Sequence, residues 1–342
     1  MKELLVFAKR YNRKNPTKIG GAIRLTEELL KDLDNMGEPY ETIDINPANY
    51  GGFIKAYFRI FFQSLAKIRK HKAVLFIASD RVIVTVAPFV IALCKLYNKH
   101  ITLKKIGGGF DTYYEKSPFL RKKVLNWVLK NVAVIFFETK QLVSYFSEFT
   151  KTMWFPNVRN IPKKEIVIGE FGKRFVFISH VKNTKGIVQI LESSLKLPED
   201  YTVHIYGPIV DLELPNQLEG HFEKIYQGPL EPEQVLPTIE KYDVVMLPTF
   251  YKGEGYPGII IEAYSCGKPV ISTHWNSIPE IIEERETGLL VKPRDSEDLL
   301  KAMLFFTNEN YHVMAKNTIT YVQQFDSFNQ TQSKLSYFKG AE

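Results

Sequence analysis

Two blocks of alternating apolar runs and amphipathic stretches, parted by a Pro-, Gly- and Lys-rich interval at 155–173, constrain this chain more than any other feature. In the first block ELLVFA (3–8), AVLFIAS (73–79), ITLKKIG (101–107) and VAVIFFE (132–138) have the β-branched and aromatic content of strands. Segments of helical spacing lie between them, such as AIRLTEELLKDL after Gly20–Gly21. The second block restarts the pattern. RFVFIS, YTVHIYG, KIYQG, VVMLPT, PVIST and GLLVKP read as strands, and KGIVQILESSLKL, EPEQVLPTIEKY, GIIIEAYSCG, SIPEIIEE and SEDLLKAMLFFTN read as helices. Strands separated by helices imply parallel pairing through right-handed crossovers. The expected fold class is α/β, with two doubly wound Rossmann-like domains facing each other across a cleft. The boundaries expected are 1–158 and 159–325, with 326–342 a helical tail. Ligands of such sheets bind beyond the carboxyl ends of the strands, and clefts between domains are favoured sites.

The net charge of +7 conceals an asymmetry. Residues 1–160 hold 27 Lys and Arg against 13 Asp and Glu, whereas 161–342 hold 18 against 25. A basic half joined to an acidic half suggests two domains with different partners. The two cysteines, Cys94 and Cys266, are far apart and form neither a metal-ligand spacing nor a disulfide framework. MKELLVFAKR turns charged before an apolar region develops, so no secretory leader is expected. The longest apolar run, Val82–Cys94, contains a proline and falls short of the roughly 20 residues of a spanning helix.

The densest chemistry lies in GEGYPGIIIEAYSCGKP (253–269). VVMLPT ends a strand, YKGEGYPG is a loop, and a helix is expected over 257–266, closed by Gly267 and Pro269. This puts Glu254 on a loop over the strand ends and Glu262 inside the following helix. A helix amino terminus attracts anions, and Gly255 and Gly258 permit close backbone approach. Carboxylates accept hydrogen bonds from vicinal sugar hydroxyls. The arrangement therefore suits a nucleotide sugar, with its diphosphate at the helix and a carboxylate on each sugar. Against this stands the plainer reading that both glutamates are merely solvated. The apolar neighbourhood of Glu262 weighs against it, because charged groups are seldom buried without partners.

The run E-G-Y-P-G-I-I-I-E-A-Y-S-C-G-K-P-V-I-S, followed by I-P-E-I-I and T-G-L-L-V, resembles the donor-site signature of family 4 glycosyltransferases. The ordered likeness spans about 243–291 and continues more weakly upstream, in PNV (156–158), HIYG (204–207) and Gly20–Gly21. The resemblance implies a retaining enzyme of GT-B architecture whose carboxy-terminal tail, here 326–342, crosses back to the amino-terminal domain. It implies that Glu262 holds the ribose hydroxyls and Glu254 faces the transferred sugar, and that backbone groups near Gly255, Tyr256, Pro257 and Gly258 line sugar and phosphate. Gly20 and Gly21 match the first phosphate-side loop. The family clamps the diphosphate with an Arg and a Lys, and in SHVKNTKG (179–186) Lys185 falls on the Lys position while His180 replaces the Arg. A neutral imidazole offers one donor where guanidinium offers a charged fork. Either His180 is protonated by the diphosphate, or Lys182 assists, or phosphate binding is weaker. Asn276–Ser277 also depart from the Gly pair that many members carry before I-P-E. The leaving phosphate itself assists the acceptor hydroxyl in the family's usual account, so no dedicated nucleophile is expected, and the resemblance leaves Glu254 and Lys185 as the residues expected to carry catalysis.

No His/Cys cluster at ligand spacing is present, so no metal and no cofactor are expected. The substrate implied is a UDP- or GDP-linked sugar. In the amino-terminal half, Gly107–Gly109 end a strand. Gly109 and Asp111 either reach an acceptor or sugar hydroxyl or form a tight turn in which Asp111 caps the next helix.

GGFIKAYFRIFFQSLAKIRKHKA (51–73) interleaves aromatics with Lys55, Arg59, Lys67, Arg69 and Lys70, and no acidic residue occurs between Asp44 and Asp80. FLRKKVLNWVLK (119–130) repeats the character. Such helices suit an anionic membrane surface; the bland alternative is that the aromatics face the core. No recognised nucleic-acid motif accompanies the charge, so nucleic acid is not an expected partner.

The expectation is a glycosyltransferase acting on a glycan or lipid-linked acceptor in surface polysaccharide or lipopolysaccharide synthesis, peripheral on the cytoplasmic face of the membrane. The rivals are a nucleotide-sugar epimerase on the same fold and a catalytically degenerate scaffold. A dinucleotide-dependent dehydrogenase is disfavoured, because G-x-G-x-x-G does not follow the first strand.

Overall fold

The structure is a computed structural model that describes residues 2–12, 21–162 and 164–341. The chain forms two compact units: Met1–Asn160 together with Asp326–Glu342, and Ile161–Phe325.

The first unit is a six-stranded sheet: β1 (Lys2–Ala8), β2 (Tyr40–Asp44), β3 (His71–Ala78), β4 (His100–Lys105), β5 (Val134–Phe137) and β6 (Thr152–Trp154). The order is β2-β1-β3-β4-β5-β6, and every pairing is parallel. The period of two along β1 sends Leu5 and Phe7 into one core and Leu4, Val6 and Ala8 into the other. A sheet covered on both faces explains why these strands read as nearly continuous apolar runs. β2 escapes the sequence reading because only Ile43 of YETID is buried, and β6 because it is a short, half-buried strand.

The carboxy-terminal segment completes the first unit. Ser327 and Thr331 donate hydrogen bonds to the buried Asp32 carboxylate, and His100 Nε2 lies 2.8 Å from the Tyr337 carbonyl. Phe338 is fully buried against Phe136 and Phe155. The interval at 155–159 is therefore no loose linker: Phe155, Val158 and Arg159 are buried.

The second unit holds β7 (Arg174–Ile178), β8 (Thr202–Tyr206), β9 (Val244–Leu247), β10 (Val270–Thr273) and β11 (Gly288–Val291) in the order β11-β10-β9-β7-β8, again all parallel. Two expectations fail here. KIYQG is not a strand, because Lys224 and Ile225 end the helix Asn216–Ile225 and Tyr226 makes only an isolated bridge to Ile205. SIPEIIEE is not a regular helix; Pro279 starts a single 3-10 turn, Ile278–Glu280.

The helix Phe53–Lys67 turns Ala56, Ile60 and Ser64 inward. Phe53, Ile54, Phe58 and Phe62 are each 63–74% exposed, which removes the reading that the aromatics fill the core. Phe119 and Leu120 of the helix Phe119–Lys130 are exposed as well. Lys67 leaves the basic cluster, since its amine pairs with Glu41 at 2.6 Å. Among the described residues no helix is long and apolar enough to cross a membrane.

Candidate active site

The carboxyl ends of β7, β8 and β9 meet through two glycines. Gly207, the last residue of HIYG, has φ +138°, and a Cβ there would lie 1.8 Å from the Ser179 carbonyl oxygen. Only glycine lets the loop after β8 abut the loop after β7. Gly186 has φ +82°, and a Cβ there would meet the Pro248 carbonyl oxygen at 2.3 Å. Between these contacts the chain makes one 3-10 turn, Asn183–Lys185, pinned by the Asn183 side chain to the backbone of Glu213 and by Phe250 N–H to the Thr184 carbonyl.

This turn delivers Lys185 to Glu254. The two form an ion pair with both side chains about nine-tenths buried, and Thr249 Oγ1 donates to the same Glu254 oxygen at 2.9 Å. The two residues assigned to catalysis from sequence thus lie together, neutralising each other. Lys182 stands 3.8 Å from the centre of the Tyr251 ring, a cation–π contact that holds a second ammonium beside the loop.

The Glu254 loop is fastened from the segment after β10. Trp275 Nε1 donates to the Tyr251 carbonyl at 2.9 Å, and Asn276 Nδ2 to the carbonyls of Lys252 and Glu254 at 3.1 and 3.2 Å. Asn276 itself has φ +46°. Asparagine tolerates this left-handed conformation better than most residues. The departure from glycine at this position therefore keeps a turn that glycine would make and adds a side-chain clamp.

The following helix runs Gly258–Ser265, with Pro257 as its extended N-cap and Gly267 at φ +68° beyond its end. Ile260, Ile261, Ala263 and Tyr264 are fully buried, and Glu262 is only 6% exposed. Glu262 lies one turn after Gly258, on the same face as the helix start. A carboxylate in such surroundings is costly without compensation, so this position selects a polar contact rather than packing. Tyr256 points the other way: its ring meets Phe325 edge-on and its hydroxyl donates to Glu280 at 2.5 Å. Its side chain is core, and only its backbone suits the role expected for it. Gly255 lies in the loop with Glu254.

His180 follows β7. Burial, then the charges of Lys185 and Lys182, hold its pKa below the ordinary histidine value. The free protein therefore carries it neutral at pH 7, and a bound diphosphate would raise its pKa. The complex would then bind more protons than the free protein, so affinity for a nucleoside diphosphate should rise as pH falls through the pKa of the complex. The gain, about tenfold for each unit by which the ligand raises that pKa, ends below the pKa of the free protein. Affinity measured from pH 8 to 6 for wild type and His180→Ala checks this, since the ligand's own protonation cancels in the comparison. Parallel curves would remove His180 from the site.

The remaining expected residues belong to the first unit. Gly20 lies outside the described residues, and Gly21 begins the helix Gly21–Asn35. Gly109 precedes the short helix Phe110–Glu115. The Asp111 carboxylate accepts from Gln141 Nε2 at 3.0 Å and from Thr112 N–H at 2.6 Å, as a first-turn carboxylate does.

Sequence reasoning missed the charges beneath that loop. Lys105 is buried and donates to the carbonyls of Ile106 and Gly107, while the buried Glu138 accepts the Gly107 N–H at 2.8 Å. Lys104 stands 2.9 Å from the Phe155 ring centre, and burial brings its pKa down to about 7. Burial raises the Glu138 carboxyl in turn. Consecutive lysines inside a strand, one for each face, were the available signal. Among the described residues no group of three or more His, Cys, Asp or Glu is placed to hold a metal ion.

Residues 172–309 match the family described as glycosyl transferases group 1. The chain is 26% identical over 207 residues to the N,N'-diacetylbacillosaminyl-diphospho-undecaprenol alpha-1,3-N-acetylgalactosaminyltransferase of Campylobacter jejuni, a match covering 58% of this chain and 50% of that protein. It is 22% identical over 180 residues to the N-acetyl-alpha-D-glucosaminyl L-malate synthase of Bacillus anthracis, covering 51% and 46% respectively. The chain thus spans about half the length of these relatives. Among solved structures it is similar to Anabaena HepE in complex with UDP, with TM-score 0.73, 14% identity and 98% and 99% of the two chains covered. It is also similar to the lipopolysaccharide outer core galactosyltransferase WaaB, with TM-score 0.68, 13% identity and the same coverage. The fold is α/β with two parallel sheets, close to the GT-B glycosyltransferases.

Proposed function

We propose that the chain is a glycosyltransferase that moves a sugar from a UDP- or GDP-linked donor to a hydroxyl of a glycan or lipid-linked acceptor, with retention at the anomeric carbon. The observation that carries this reading is the buried Lys185–Glu254–Thr249 cluster ahead of a helix that holds Glu262 inside an apolar wall. In the reaction the bond from the anomeric carbon to the leaving phosphate oxygen breaks and a bond to the acceptor oxygen forms. The acceptor proton leaves with the nucleoside diphosphate. Lys185, Lys182, a protonated His180 and the N–H groups at Gly258 oppose the charge that grows on the departing diphosphate. With Lys185 drawn to phosphate, Glu254 is released toward the sugar hydroxyls. These cations serve where other transferases use a metal, so activity is proposed to need neither metal nor cofactor. Glu262 holds the ribose. Glu262→Ala should weaken nucleoside diphosphate binding by about tenfold or more, the worth of charge-assisted hydrogen bonds. Unchanged affinity with an intact fold would remove the ribose assignment.

The setting proposed is surface polysaccharide or lipopolysaccharide assembly, with the protein peripheral on the cytoplasmic membrane face. The exposed Phe53, Ile54, Phe58 and Phe62, with the exposed Lys55, Arg59, Arg69 and Lys70, support it. Each such cation near an anionic surface contributes about 1 kcal/mol. Neutralising the four should therefore cut sedimentation with anionic vesicles by more than about tenfold; equal sedimentation would defeat the membrane assignment.

A further inference from the structure

A cavity of about 970 Å³ in the first unit lies beyond the carboxyl ends of four strands. Lys9 follows β1, Ile45 follows β2, Ser79 follows β3 and Ile106 follows β4, and all four line it. β1 and β3 are neighbours, and the chain leaves them toward opposite edges of the sheet. This is the switch point at which open parallel sheets take ligands.

The chemistry of the walls is specific. Phe53, Ala56, Tyr57 and Ile60 form one side, and Val82, Val84 and Val86 contribute to another. Three cations, Lys9, Arg81 and Arg121, line the cavity, and no Asp or Glu occurs among its described lining residues. Much of the neutral polar lining is already committed. Thr26 Oγ1 donates to the Ala22 carbonyl, Thr85 Oγ1 to the Arg81 carbonyl and Asn46 Nδ2 to the Arg10 carbonyl. A free sugar would call for carboxylates and amides; what remains here is apolar surface and positive charge. Phe53 and Tyr57 also belong to the helix whose Ile54, Phe58 and Phe62 are exposed, and Arg121 to the helix whose Phe119 and Leu120 are exposed. The cavity walls thus continue into the exposed aromatic helices.

We propose that this cavity is the acceptor site and that its occupant is a lipid-borne acceptor, in which a phosphate joins a long apolar chain to the sugar that receives the transfer. The apolar chain lies along the helix Phe53–Lys67, and Lys9, Arg81 and Arg121 hold the phosphate, arginine suiting its geometry. The word acceptor rests on the glycosyltransferase reading; the ligand class rests on the cavity alone.

The test is calorimetric titration of the full chain with n-decyl phosphate below its micellar concentration, with decyl glucoside and inorganic phosphate as controls. Decyl phosphate should bind at least about tenfold more tightly than either control, because it alone combines chain burial with a charge-assisted contact. Arg81→Glu with Arg121→Glu should remove at least about tenfold of that affinity. Ala56→Trp, which fills the cavity, should abolish it; Val82→Trp fills it from a half-exposed wall and replaces Ala56→Trp if that variant loses its circular dichroism. Equal binding of decyl phosphate and decyl glucoside, or indifference to the arginine changes, overturns the proposal. Binding that survives both fillings also overturns it, because the amphiphile then sits on the outer surface. UDP and GDP titrated into the same samples keep the two readings apart. Failure of the wild type to bind either would defeat the transferase reading, while the decyl phosphate comparison still decides the cavity.

Discussion

Lys185→Ala should lower turnover by about 10²–10³, the usual loss when one donor to a developing oxyanion is removed, and should weaken nucleoside diphosphate binding as well. Lys185 pairs with Glu254, so the diphosphate competes for an ammonium that already has a partner. Removing the ammonium leaves the Glu254 carboxylate, held by Thr249, pointing its charge at an incoming phosphate. Attraction becomes repulsion in a poorly solvated place, where charge counts for more than in water. Glu254→Gln separates the roles. It keeps the shape and the Thr249 hydrogen bond while freeing Lys185. This variant should bind the diphosphate at least as tightly as wild type and still lose turnover. Calorimetry for binding, and release of nucleoside diphosphate from the donor that binds, read the two effects independently. Loss of binding in Glu254→Gln would mean that the carboxylate positions Lys185 and does nothing for the sugar.

Gly207→Ala should cost about 3 kcal/mol or more of stability, through backbone strain at positive φ added to a clash. The new methyl would stand 1.8 Å from the Ser179 carbonyl oxygen, and both are fixed by strand-end backbone that cannot swing aside as a flexible side chain can. For a unit of this size that corresponds to a fall in Tm of roughly 6–12 °C. The same change should displace the loop carrying His180 and Lys185, so residual folded protein should bind nucleoside diphosphate poorly. A melting temperature within 2 °C of wild type, on the order of half a kcal/mol, would show that the two loops are not locked together as described.

The second unit was the more legible in the sequence. Its strand, loop and helix are consecutive in the chain, so eight positions carry Glu254 to Glu262 and local rules place both. What lies far apart in the chain was legible only through the family likeness: the Lys185–Glu254 contact spans 69 residues. The inward turn of Tyr256 could not be read, because a tyrosine between glycine and proline looks like loop whichever way it points, and the partner that decides its direction is Glu280. The clamp by Trp275 and Asn276 was hidden behind an apparent departure from the family pattern. In the first unit periodicity would have misled. The buried stripe of the helix Phe53–Lys67 is Ala, Ile and Ser, less apolar than the aromatic face it exposes. Composition weighs apolar content and does not know which face has a neighbour. Lys104, Lys105 and Glu138 were passed over for a related reason: a strand pattern records them as interruptions, whereas all three are buried and Lys105 and Glu138 support the glycine loop.

Calorimetric titration of the purified chain with UDP, GDP, ADP and NAD, with and without EDTA, tests whether the Lys185–Glu254–Glu262 site takes the nucleoside diphosphate of a sugar donor. Saturable binding of UDP or GDP is expected, unchanged by EDTA and removed by Lys185→Ala. Binding of none of the four, or preferred binding of NAD, would contradict it.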